Sequence, residues 1–158
     1  MNTRTLIAGI LLAAALPAAE LATKKALTLD AARELAAAAE RFALGKNWKV
    51  AIAVVDEAGN LVYFQRMDGS PLSAVEISQR KARTAAVYGR PSKMFNERIA
   101  KGENGVVALP GILPFEGGLP IVVDAQMVGA VGVSGVVSHE DAQIGQAGID
   151  ALLKSLGK

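Results

Sequence analysis

Between Arg66 and Ala85 the chain reads RMDGSPLSAVEISQRKARTA, setting Arg66, Arg80, Lys81 and Arg83 around two acids, Asp68 and Glu76, and a Gly-Ser-Pro turn. Cationic side chains in this density bind carboxylates or phosphates, and the planar fork of arginine matches two carboxylate oxygens at once. On a helix starting at Ser73, Arg80 and Arg83 are three residues apart and share a face, while Lys81 points elsewhere. Two readings stay open: a solvated helix face, and a cationic rim for a carboxylate ligand.

Other chemistries are thinly represented. His139 is the only histidine. A single imidazole cannot build a multi-histidine metal site, though it can act as an axial ligand if it faces a pocket. Otherwise His139 is an exposed first-turn residue after Ser138. Acid–base catalysis by paired carboxylates needs a defined separation, and Asp56, Asp68, Glu76, Asp124, Glu140 and Asp141 show no diagnostic spacing. Asp56 suits the end of a strand, and Glu76 and Asp141 suit helix capping. Gly117-Gly118 lacks the lysine and hydroxyl of a phosphate loop, but bare backbone there could approach an anion. Ser70, Ser73 and Ser134 have no nucleophile-elbow context. With no cysteine, disulfides and thiolate chemistry are excluded. These absences favour a binding protein over an enzyme.

The elements that must position these residues follow from hydrophobic period and punctuation. Leu27 to Leu44 predicts a helix, with Thr28 as N-cap, Asp30 in its first turn and Gly45 after its end. Lys49 to Asp56 and Leu61 to Met67 predict a β-hairpin around EAGN. Ser73 to Tyr88 predicts a helix, with Ser73 and Glu76 at capping-box spacing and Gly89 as its stop. Ser92 caps a short helix through Ile99. Three further strands are predicted, at Val106 to Leu109, at Gly111 to Phe115 running into Leu119 to Val123, and at Met127 to Ser134. A last helix starts at Ser138. Hairpins flanked by helices make an α+β fold.

The first nineteen residues stand apart. MNTR, an apolar run from Leu6 to Leu16 and a small-residue exit have the layout of a cleaved signal peptide, and the run is too short for a permanent span. The expected organisation is therefore a signal peptide over 1–19 and one domain over 20–158, in a periplasmic or secreted protein. A formal net charge of +2 gives no electrostatic reason to expect nucleic-acid binding. Stability without cysteine must come from the core or from assembly.

Two long stretches taken together resemble a known family. VAIAVVDEAGNLVYFQRMDGSPLSAVEISQRKARTA and LPGILPFEGGLPIVVDAQMVGAVGVSGVVSHEDAQIGQAGIDAL are similar to the signatures of the GlcG/HbpS-like family, also called haem-degrading or PduO C-terminal-like. The resemblance implies a profilin-like α/β/α arrangement with about five antiparallel strands, and protomers that assemble into homo-oligomers. It implies a tetrapyrrole ligand, haem first and a corrinoid or iron less so. Alternatives are an enzyme or accessory protein acting on a small carboxylate such as glycolate, and an oligomeric scaffold or sensor partner. Carried over residue by residue, the matching positions are Arg66, Asp68 and Gly69 of RMDG, Lys81, Ala82 and Thr84 of KA-x-TA, Gly117, Gly118 and Pro120 of GG-x-P, and Gly132 to Gly135 of GVSG. The ligand-binding set expected from them, with the neighbouring Arg83 and Tyr88, is Arg66, Asp68, Lys81, Arg83, Thr84, Tyr88, Gly117, Gly118 and Ser134, gathered at one corner of the fold. Some haem-binding members use a histidine near the N-terminus, which this chain lacks; Tyr88, Met94, Met67 or His139 would have to take that place.

Overall fold

Helix α1 spans Leu29–Gly45, opened by Thr28, whose hydroxyl accepts the N–H of Ala31 at 3.2 Å. The left-handed position that ends it is Asn47, at φ 57°, so Gly45 is the last helical residue. The computed structural model describes residues 19–158, and the expected leader, Ala19 apart, lies outside the described residues. Strands β1 (Ala51–Asp56) and β2 (Leu61–Arg66) form the predicted hairpin. Its turn is organised by Asp56. One carboxylate oxygen accepts the N–H groups of Ala58 and Asn60 at 2.9 and 2.8 Å, and the other accepts the Asn60 amide at 3.0 Å.

Helix α2 covers Ala74–Tyr88 and stops at Gly89, φ 61°. The expected capping box is not formed. The chain enters through a turn in which the Ala74 N–H reaches Pro71 O, so Ser73 already has helical backbone angles and cannot cap. Helix α3 is Lys93–Ala100. Ser92 does not cap it either; its hydroxyl donates to Phe115 O at 2.5 Å and accepts the Gly118 N–H at 2.9 Å. Strands β3 (Gly118–Val123) and β4 (Gln126–Ser134) and helix α4 (Ser138–Ser155) complete the order.

The sheet has four antiparallel strands in the order β2-β1-β4-β3, one fewer than expected. Where strands were predicted at Val106 to Leu109 and Gly111 to Phe115, a 3-10 helix occupies Asn104–Ala108 and irregular chain follows. Pro110 and Pro114 have no N–H to give a ladder. The apolar residues there serve a small separate core of Phe95, Val106 and Ile112.

The two faces of the sheet are unlike. Val50, Ile52, Val54, Ile121, Val131 and Val133 pack against α1 and α4, where Leu35, Ile144 and Leu152 are also buried. Each such side chain contributes roughly 1.5–3 kcal/mol on burial. On the other face Ala53, Val55 and Ala130 meet Ala82, Ala85 and Ala86 of α2. Here the backbones nearly touch. A methyl on Gly132 would lie 2.0 Å from Ser78 O and 2.4 Å from Ala82 N, and one on Gly118 would lie 2.2 Å from Lys81 O. Gly118 of GG-x-P and Gly132 of GVSG are thus required where the helix rests on the strands.

Candidate functional site: the outer face of helix α2

The signature RKARTA folds into a helix whose successive side chains have separate duties. Lys81 points inward. It and Asp141 of α4 are each 2% exposed, with Lys81 Nζ 2.7 Å from Asp141 Oδ2 and 3.1 Å from Val133 O. Asp141 Oδ1 also accepts the Val136 N–H at 3.2 Å. Burial pushes the Asp141 carboxyl up from its ordinary value, against the pull of the Lys81 ammonium and the Val136 N–H. The pair joins helices on opposite faces of the sheet. Gly117 leaves the passage open, because a methyl there would sit 2.8 Å from Lys81 Nζ. Lys81, expected at a cationic rim, is therefore inside the protein, and Asp141, read as a capping acid, is its counter-ion.

A second row runs along α2 at four-residue spacing. Arg80 Nη2 reaches Ile112 O at 3.5 Å, Thr84 Oγ1 accepts the Leu113 N–H at 2.9 Å, and the Tyr88 hydroxyl donates to Pro110 O at 2.8 Å. Tyr88 also stacks edge-on against Phe95, with centroids 5.2 Å apart. Together these side chains hold the irregular segment 110–113 to the helix. Thr84 and Tyr88 thus have scaffold duties of their own.

Arg83 is left over. It is exposed, and among the described residues no carboxylate lies within ion-pair reach of it; its only polar contact is Nη1 to Gly59 O at 3.4 Å. Its guanidinium lines a groove of about 500 Å³ between α2 and the hairpin turn, with Val55, Leu61 and Val75 as apolar wall. Arg80 lines the same groove and is partly neutralised by Glu76 at 3.7 Å. A smaller hollow of about 340 Å³ continues past Arg83 to Thr84, Val87 and Tyr88. The arrangement suits an apolar body carrying one or two carboxylates.

The remaining expected site residues lie elsewhere. Arg66 ends β2, exposed, with Nε 3.3 Å from Ser70 Oγ; Asp68 is exposed in the turn that follows. Arg66 pairs with Ala51, and Ala51 with Ser134, so Arg66 and Ser134 are in one row across the sheet, about 10 Å apart by strand spacing. Ser134 is buried. Gly117 and Gly118 are buried under α2 and face no ligand groove along it. His139 is exposed on the first turn of α4. The expected single corner is therefore split. Arg83, Thr84 and Tyr88 share the outer face of α2; Lys81, Gly117 and Gly118 belong to its underside. Among the described residues no group of three His, Asp or Glu side chains is arranged to hold a metal ion. Nor is any described helix long and apolar enough to cross a membrane.

A four-stranded antiparallel sheet between α2 on one face and α1 with α4 on the other, carrying a cationic groove on its outer helix, defines a small α+β fold of α/β/α layers. The sequence profile of the family described as haem degrading protein HbpS-like matches residues 27–150, and the chain belongs to that family. It is 44% identical over 112 residues to protein GlcG of Escherichia coli (strain K12), covering 71% of this chain and 84% of that one. Protein ORFY of Klebsiella pneumoniae superposes with a TM-score of 0.80 at 32% identity, covering 87% of this chain and 98% of that chain. A double mutant of Streptomyces reticuli HbpS superposes with a TM-score of 0.78 at 33% identity, covering 89% and 98%.

Proposed function

We propose that the chain is an exported, homo-oligomeric protein that binds haem in the groove beside α2. The observation that carries this reading is Arg83, a guanidinium without a carboxylate partner among the described residues, set in an apolar-walled groove with Arg80 three residues along. Two propionates on an apolar macrocycle match two guanidiniums over aliphatic side chains. The family description, haem degrading protein HbpS-like, supports the same ligand.

The residues present fit the propionates better than the iron. Among the described residues no histidine, methionine or tyrosine lines the Arg83 groove. The Tyr88 phenol is engaged by Pro110, Met67 is buried, and Met94 and His139 are exposed outside the groove's lining. Bound haem would supply an iron centre, while this chain's own residues grip its acidic edge and apolar face. Export rests on the charge order of the leader. Assembly is supported by the edge strands β2 and β3, each paired with one strand only among the described residues, where a second copy would add to the sheet.

Hemin added to the purified protein should give a saturable Soret shift of high-spin type. Arg83→Ala should weaken binding by roughly 1.5–3 kcal/mol, the range for a charged hydrogen bond, and His139→Ala should leave the spectrum unchanged. An unchanged Soret band at micromolar protein would overturn the reading. The same guanidinium also suits a small carboxylate metabolite; glycolate that protects Arg83-dependent folding stability, with hemin inert, would favour that alternative.

A further inference from the structure

On the other face of the sheet, the start of α1, the end of α4 and the β3–β4 turn enclose a second pocket of about 480 Å³. Its walls are aliphatic: Leu27, Ala31, Val123, Val128, Leu152 and Leu156. Val123, Val128 and Leu152 belong to the main core, so the pocket opens directly onto it. Apolar surface left facing water forgoes about 25 cal/mol per Å², which an apolar guest would recover.

The polar residues of this pocket are concentrated at Asp124. Lys158 Nζ lies 2.7 Å from Asp124 Oδ1, and the Lys25 ammonium is paired with Oδ2. Hydrogen bonds from Lys158 and Lys25 hold the Asp124 carboxyl down at about 2, so it stays ionised. Each ammonium has three N–H donors, and one carboxylate engages only part of them. The placement is made at a backbone cost. Asp124 and Ala125 both adopt left-handed angles, φ 49° and 60°, a conformation that alanine in particular disfavours. The Lys25 N–H is fixed as well, by Gln126 Oε1 at 3.1 Å.

We propose that this pocket is a second binding site, for an aliphatic chain ending in a carboxylate. The chain would lie against Ala31, Val128 and Leu152, and its carboxylate would join Asp124 between Lys25 and Lys158. The site is on the opposite face from the Arg83 groove and does not depend on the haem reading.

The test is a titration of the full chain with decanoate below its micellar concentration, read by methyl NMR. Saturable shifts should concentrate at Val123, Val128, Leu152 and Leu156. Ala31→Phe, which fills the hollow, should lower affinity at least about tenfold. The pair Lys25→Gln with Lys158→Gln should lower decanoate affinity at least about a hundredfold, the loss of two charged hydrogen bonds, and leave 1-decanol within about twofold. Shifts centred on the Arg83 groove, or rising without saturation, would overturn the site. Should Ala31→Phe not fold, the lysine pair decides: equal losses for decanoate and decanol would overturn the carboxylate assignment.

Discussion

Lys81 and Asp141 meet at 2.7 Å although their helices lie on opposite faces of the sheet, and each is 2% exposed. The contact is made through the opening that Gly117 leaves just before β3. Breaking a buried pair from one side strands a charge and costs about 3–5 kcal/mol, whereas replacing both partners by apolar groups is often neutral. Chemical denaturation should therefore show Lys81→Met and Asp141→Leu each strongly destabilised. The double variant should recover most of the loss. A double variant as weak as the sum of the singles would mean that the pair is not a unit.

Gly132→Ala tests the seat of α2. The added methyl meets backbone atoms of Ser78 and Ala82, which cannot swing aside like a side-chain tip. A cost of roughly 4 kcal/mol or more is expected, at the severe end for single substitutions. Thermal melts that fall by only a few degrees would show that the helix can lift.

Ala125 offers the opposite sign. It follows Asp124 in a two-residue hairpin turn, with φ 60°. Such turns favour glycine at this position. Ala125→Gly should raise stability by about 1 kcal/mol, measured as an increased denaturation midpoint with an unchanged slope.

The hairpin turn at Asp56 sets an acid dependence. Burial opposes ionisation of Asp56, but hydrogen bonds from the Asn60 backbone and side chain, Ala58 and Gly59 outweigh it, and the carboxyl lies below its ordinary 3.8. A group lowered on folding contributes stability above its unfolded value and loses it as pH falls through the folded one. Wild-type melting temperature should thus drop below about pH 4 more steeply than that of Asp56→Asn. Parallel acid profiles for the two proteins would remove Asp56 as the cause.

The sequence was most legible where one local rule acts alone. Thr28 caps α1, Gly89 stops α2, and β1 and β2 form the expected hairpin. It misled where a distant partner decides. Ser92 has the form of a cap, yet its hydroxyl is taken by Phe115 and Gly118, more than twenty positions away. Val106 and Ile112 look strand-like, but prolines beside them and the small Phe95 core draw them off the sheet. For the candidate site, residue type pointed to the helix after Ser73, which lines the Arg83 groove. Helical spacing set Lys81 off the face shared by Arg80 and Arg83, but which face turns inward depends on the side of α2 that lies against Gly118 and Gly132. A signal was present in those glycines: a strand so bare must have a backbone against it, and the helical residue above them must turn its side chain inward.

That seating also limits how the groove can change. A helix resting on naked peptide groups behaves as a fixed ruler, with Arg80 and Arg83 about 4.5 Å apart along its axis. It has no slack to slide or rotate toward a differently shaped guest. Retuning selectivity would have to come from swapping what projects outward, at Glu76, Gln79 or Val87, while the rod itself stays put.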